Sequence, residues 1–136
     1  MYPRLLLALS MALAAGAMAT QPTWAETKVD AALMKVLDPD ADGTVDLAEA
    51  KAAGAATFKK LDPDNDGTLD AKELAGRVTA DELKAADPDN DGTLDLNEYN
   101  ALIEKRFNAA NPDNDGTLDE AELKSPAGQS LLLLIQ

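Results

Sequence analysis

Carboxylates supply nearly all the chemistry this sequence offers, and they recur in a fixed order. Four twelve-residue segments align without gaps: Asp38–Glu49 (DPDADGTVDLAE), Asp62–Glu73 (DPDNDGTLDAKE), Asp87–Glu98 (DPDNDGTLDLNE) and Asn111–Glu122 (NPDNDGTLDEAE). Their starts lie 24, 25 and 24 residues apart, so the chain is a repeat before it is anything else. Positions 1, 3 and 5 are Asp38, Asp40 and Asp42 in the first segment, then Asp62, Asp64 and Asp66, then Asp87, Asp89 and Asp91. In the fourth they are Asn111, Asp113 and Asp115. On a tightly turning backbone such side chains converge on one point. Glycine at position 6 (Gly43, Gly67, Gly92, Gly116) is expected to permit a turn that a side chain would obstruct. The carbonyl of position 7 (Thr44, Thr68, Thr93, Thr117) is then expected to point inward, and Glu49, Glu73, Glu98 and Glu122 at position 12 to close each site. All these groups are hard oxygens, so the ion they suit is a hard cation.

The pattern D-x-[DN]-x-[DN]-G-x5-E, met by the first three segments and by the fourth apart from Asn111, resembles the metal loop of EF-hand proteins. Position 8 is apolar throughout (Val45, Leu69, Leu94, Leu118), and in EF-hands that residue lies on a short strand joining two loops, which implies pairing here too. Two features are unusual for a calcium loop. Position 9 is always Asp (Asp46, Asp70, Asp95, Asp119), giving the first three loops five carboxylates each and the fourth four plus Asn111. Position 2 is always Pro (Pro39, Pro63, Pro88, Pro112), which fixes φ and biases the preceding residue away from helix. Two unit charges ~4 Å apart interact by about 4 kcal/mol at an effective dielectric near 20. Five carboxylates therefore favour a trivalent over a divalent ion, although a trivalent ion is also costlier to dehydrate. The balance tilts toward a lanthanide.

Composition removes most other chemistries. The chain has 136 residues, 25 Asp+Glu against 12 Lys+Arg, and a net charge of -13, which disfavours nucleic acid and anionic lipid as partners. It has no Cys and no His, so thiolate, zinc or copper sites and histidine acid–base catalysis are excluded. No nucleophile motif or phosphate loop is present, and an enzyme is not expected.

The elements that must carry the loops are short. Only 12, 13 and 12 residues separate them (50–61, 74–86, 99–110), so one helix must leave one loop and enter the next. A 12-residue helix is about 18 Å long, which puts successive loops at opposite ends of a rod. Tyr99, Leu102, Ile103 and Phe107 share one helical face; Ala53, Ala56, Phe58 and Leu61 make a weaker stripe. Thr79-x-x-Glu82 reads as a capping box, which predicts a break near Arg77 in the middle connector. The expected fold is all-α: a compact three-helix bundle of four fused EF-hands built from the connectors, with metal loops at the periphery. Helices over about Lys28–Leu37 and after Pro126 flank it, and Leu131–Ile135 is expected to pack on the bundle. Lys59-Lys60 and Lys105-Arg106 are expected on solvated faces or as neighbours that neutralise loop charge.

Ahead of the repeats, Met1–Arg4 and the apolar Leu5–Ala15 read as a secretory signal, with small-residue ends that place cleavage after Ala19 or Ala25. This divides the chain into a signal peptide over 1–25 and a single metal-binding domain over 26–136. Arg4 is the only charge removed, so the mature charge is -14.

Loops opening D-P-D or N-P-D, with Asp at position 9, at 12–13-residue separations and behind an export signal, are similar to the lanmodulin family. The resemblance covers about Lys28 to Gln136. It implies selective binding of lanthanide(III) ions over Ca²⁺ as a weaker competitor, three strong sites in the first three loops, and a weaker one in the Asn111 loop. It also implies a periplasmic location in lanthanide-using methylotrophic bacteria and a metal-triggered passage from disorder to a compact state. The partners it implies are metal ions and a periplasmic lanthanide-uptake system or a lanthanide-dependent dehydrogenase. No nucleic acid, no membrane after signal cleavage, and a monomer complete that expectation.

Coupled folding follows independently from charge. Of the 25 acidic residues, 20 lie inside the loops, where they repel one another without metal, and a domain this small is marginally stable to begin with. Four trivalent ions would take the mature charge from -14 to -2, four divalent ions only to -6. Two alternatives stand beside the lanthanide reading. One is an exported calcium buffer or sensor. The other is a metal-dependent docking module, against which the scarcity of Met in the mature chain (Met34) argues.

Overall fold

Proline and aspartate set the boundaries of the helices. The computed structural model describes residues 27–136, so the expected signal peptide and cleavage site lie outside the described residues. Six helices alternate with four two-residue strands: α1 (Ala31–Leu37), β1 (Val45–Asp46), α2 (Leu47–Leu61), β2 (Thr68–Leu69), α3 (Ala80–Ala86), β3 (Leu94–Asp95), α4 (Leu96–Ala110), β4 (Thr117–Leu118), α5 (Glu120–Lys124) and α6 (Pro126–Ile135). The fold is all-α. The first residue of every loop caps the C-terminus of the helix before it, at φ between -118° and -106° and ψ between 76° and 83°. Proline at the next position disfavours the helical region for its predecessor and has no N–H to continue the ladder. Pro39, Pro63, Pro88 and Pro112 are thus helix stops that release a carboxylate, or Asn111, into the loop.

The exits are capped as regularly. Asp46, Asp95 and Asp119 open α2, α4 and α5, each accepting from the backbone N–H of the Glu three residues on, whose side chain accepts from the cap's own N–H. Thr79 and Glu82 form the same reciprocal pair at α3, as the sequence predicts. Two orphan donors are satisfied at each such helix start.

The core is a three-helix packing of α2, α4 and α6. This corrects the expectation that the middle connector is one of the three rods. After Glu73 the chain makes only turns until Thr79, with Gly76 at φ 78°, and α3 has just seven residues, none of them buried. The apolar α6, whose Leu131, Leu132, Leu134 and Ile135 are all buried, takes the vacant place. The face of α4 is as predicted, with Tyr99, Leu102, Ile103 and Phe107 buried. That of α2 is met in part: Phe58 is buried and Ala53 and Leu61 pack half-buried on the core, but Ala56 is exposed, and Ala50, Gly54 and Thr57 are inside as well. Gly54 sets the approach, since a Cβ there would lie 2.2 Å from Ile103 Cδ1. Phe58 meets Tyr99 edge to face at 5.4 Å, and the buried Tyr99 hydroxyl donates to the Leu134 carbonyl at 2.7 Å. None of the described helices is long and apolar enough to cross a membrane.

The loops pair as a nested set. β1 is antiparallel to β4 and β2 to β3, with Val45 opposite Leu118 and Leu69 opposite Leu94, all four fully buried. Sequential pairing of loops one and two, or three and four, is prevented because 15-residue helices of about 22 Å hold those loops apart. Only the broken connector is flexible enough in direction to bring loop two back to loop three, and that reversal returns loop four to loop one.

Candidate metal centres

Loops one to three are each organised by their first side chain. Asp38 is buried, and its carboxylate accepts from the N–H of Asp42 (3.1 Å) and of Gly43 (2.8 Å). Asp62 accepts in the same way from Asp66 (3.2 Å) and Gly67 (3.1 Å), and Asp87 from Asp91 (3.2 Å) and Gly92 (2.8 Å). The position-5 carboxylates then accept from both the N–H and the hydroxyl of the position-7 threonine, as Asp42 does from Thr44 at 2.9 and 2.7 Å. Thr68, Thr93 and Thr117 repeat this on Asp66, Asp91 and Asp115. Position 6 must be glycine for the turn it makes, and the constraint is conformational, not one of space. Nothing lies within 4 Å of a Cβ built on Gly43, Gly67, Gly92 or Gly116, but their φ values of 85–91° are strained for any side chain.

Position 4 shares this demand. Asn65, Asn90 and Asn114 sit at φ 56°, a left-handed conformation that asparagine tolerates better than most residues. Ala41 holds the same place in loop one at φ 58° without that advantage.

Among the described residues three acidic groups converge, each with one oxygen per residue inside 4.8 Å of the others: Asp38, Asp40 and Glu49; Asp62, Asp64 and Asp66; Asp87, Asp89 and Glu98. The first and third groups thus include the position-12 glutamate, and the second does not. Glu49 and Glu98 ride on the first turn of 15-residue helices, whereas Glu73 is carried on the turns of the broken connector. Asn111 replaces the carboxylate in loop four, and no acidic trio forms there among the described residues. Asp42, Asp91, Asp113, Asp115 and Glu122 stay outside the three trios.

The position-9 aspartates also stand apart from the trios. Asp46 Oδ1 accepts from Glu49 N–H at 2.7 Å, Asp95 from Glu98 at 2.8 Å, Asp119 from Glu122 at 2.8 Å, and Asp70 from Lys72 at 2.7 Å and Glu73 at 3.0 Å. In return one oxygen of each glutamate accepts from the position-9 N–H at 2.8–2.9 Å. Asp46, Asp95 and Asp119 are therefore helix caps, and at all four positions the aspartate aligns the glutamate next to the site. Its spacing, D-x-x-E, is that of a capping box and was visible in the sequence.

Electrostatics mark the same places as incomplete. Asp40, Asp64 and Asp89 are each pushed above the usual carboxylate value, first by the hydrogen bond their protonated form makes to the position-1 aspartate. Burial acts upward on Asp38 and Asp87, yet the N–H groups of Gly43 and Gly92 and the neighbouring carboxyl bring both below it. Burial raises Glu49; at Glu98 the N–H of Asp95 pulls down, but burial and then the charges of Asp89, Asp95 and Asp87 together raise it. Like charges at this distance are stable only if protonated or bridged by a cation. Glu49 Oε1 and Asn111 Oδ1 are buried with no hydrogen-bond partner, the condition of an acceptor whose partner is an ion. The donors fit a hard cation.

The EF-hand family matches the chain over residues 55–75 and 80–103, which hold the second and third loops with the segments leading into them. No curated protein matches the chain. The second and third loops are thus similar to EF hands, and the acidic groups that converge in the first three loops are the candidate metal sites.

Proposed function

We propose that the protein is an exported carrier of trivalent lanthanide ions whose loops fold the chain as they fill, of the kind the lanmodulin family represents. The observation that carries this reading is a carboxylate surplus held where it can converge. Asp38, Asp40 and Glu49, and likewise Asp87, Asp89 and Glu98, lie within 4.8 Å, and each loop adds two further acids close by. Loops one to three are the strong sites, with ligands at positions 1, 3, 5, 7 and 12 and position 9 reaching the ion through water. The Asn111 loop is weaker for want of a charge. A signal peptide delivers the protein to the periplasm, where it serves uptake, storage or delivery toward a lanthanide-dependent dehydrogenase.

A calcium buffer is the second reading, and one observation favours it. The position-9 carboxylates are engaged by backbone N–H groups, which lowers the charge available to meet a trivalent ion directly. Far-ultraviolet circular dichroism separates the two. With buffered La³⁺ and buffered Ca²⁺ in parallel, the lanthanide reading expects helix to appear at free La³⁺ several orders of magnitude below the Ca²⁺ required. Coincident curves would make it a calcium protein.

A further inference from the structure

The most elaborate polar contact outside the loops is centred on Arg106, expected from the sequence on a solvated face and found buried instead, 6% exposed. Its guanidinium joins four segments. It donates to the Ser130 carbonyl of α6 at 2.6 Å, to the Arg77 carbonyl of the connector at 3.0 Å, and to both carboxylate oxygens of Glu82 on α3 at 3.1 Å, all from α4. Glu82 is itself fixed, accepting from the N–H and hydroxyl of Thr79 at 3.1 Å. Arg77 completes the arrangement by donating to the Leu133 and Gln136 carbonyls at 2.6 and 3.0 Å. The Arg106 side chain thus bridges the end of the segment leaving loop two and the helix entering loop three to the helix that follows loop four.

A buried cation is costly to retain without its partners, the more so here because Arg106 Nε is itself buried with none and the two terminal nitrogens make every contact. No residue of α3 is fully buried: the helix is held by half-buried Leu83 and Ala86 against the core and by the Glu82 ion pair to buried Arg106. An unformed loop three leaves α3 without its C-terminal anchor at Asp87 and withdraws Glu82 from Arg106. We propose that Arg106 is the positioning residue through which occupancy of loops two and three orders the C-terminal helix α6 and, through it, loop four. This rests on the metal-coupled folding proposed above.

The test is per-residue nuclear magnetic resonance of the full chain titrated with buffered La³⁺. The amides of Gly43, Gly67, Gly92 and Gly116 each report one loop, and those of Leu131–Ile135 report α6. In the wild type α6 and a first shift of Gly116, from ordering of the loop, are expected at the same free La³⁺ as Gly67 and Gly92, with a second Gly116 shift at higher La³⁺ as loop four itself fills. In Arg106→Met, Gly67 and Gly92 should respond within about threefold of the wild-type concentration, while α6 and the first Gly116 shift require about tenfold more, the loss of one buried charge-assisted contact. Glu82→Gln, which keeps an acceptor but not the charge, should separate the two responses by about threefold, and decides the matter alone if Arg106→Met does not fold at any La³⁺ concentration. Responses that stay together in both variants, shifted or not, would overturn the proposal and leave Arg106 a packing residue. A wild type whose glycines ignore La³⁺ would instead remove the metal reading on which the proposal stands.

Discussion

The two loop pairs achieve the same local geometry by different compromises. In the pair joined by β2 and β3, both loops begin with aspartate and carry asparagine at the left-handed fourth position, so their ligand sets are alike. Their asymmetry lies in the scaffold, because Glu98 starts a 15-residue helix and Glu73 starts a run of turns. In the pair joined by β1 and β4 the ligands themselves differ: loop four has Asn111 for aspartate, and loop one has Ala41 for asparagine. The contrast shows that the first carboxylate has two duties. It offers charge to a cation, and it also accepts from the position-5 and position-6 N–H groups, closing the loop around its own backbone. Asn111 Oδ1 is buried without a partner, so loop four lacks both effects.

Perturbations of the two pairs should therefore differ in size. The largest is expected at the joint between α5 and α6 beside loop four. A Cβ on Gly128 would lie 2.1 Å from the Glu122 carbonyl and 2.5 Å from Leu123 Cα, backbone atoms that cannot turn aside. Gly128→Ala should cost about 3 kcal/mol in a denaturant titration of the metal-loaded protein, whereas Gly54→Ala, opposed only by the tip of Ile103, should cost about 1 kcal/mol. A result in the reverse order would mean that the α5–α6 joint is not as rigid as its contacts imply.

Removing a converging charge comes next. Glu98→Gln should weaken loop three by about 2 kcal/mol, read as the shift in the La³⁺ midpoint of Gly92. Glu73→Gln should cost less, because Glu73 lies outside the acidic trio of loop two. Equal losses would dissolve the scaffold difference within that pair. Asn111→Asp works in the opposite sense, restoring both duties of the first residue, and should tighten loop four at least tenfold by the Gly116 resonance. The smallest effect concerns backbone strain. Ala41→Asn at φ 58° should stabilise loop one by about 1 kcal/mol, while the same exchange at any exposed helical alanine should not.

Much of this was legible in the chain itself. Loop boundaries, the helix stop at each proline, the Thr79 capping box, the start of α6 at Pro126 and the buried face of α4 all follow from rules that act over three or four residues. What sequence could not supply depends on distant contacts. That α6 rather than the middle connector completes the bundle is decided by which surface remains open once α2 and α4 have met at Gly54. Arg106 looks like half of a basic surface pair until the carbonyls of Arg77 and Ser130, 29 and 24 residues away, are placed around it. The nested pairing of loops is likewise a consequence of helix length and one broken connector. At the sites, the residue types were plain, but the capping role of the position-9 aspartates was masked by their resemblance to ligands, because the same carboxylate suits a cation and a helix start.

Equilibrium dialysis of the full mature chain against buffered La³⁺ in the presence of millimolar Ca²⁺, with bound ions counted by elemental analysis, tests the central claim most directly. Three La³⁺ ions held per chain against the calcium excess, and a fourth only at higher La³⁺, is the outcome the proposed function requires. Displacement of La³⁺ by calcium at comparable free concentrations would contradict it and leave a calcium-binding protein with the same fold.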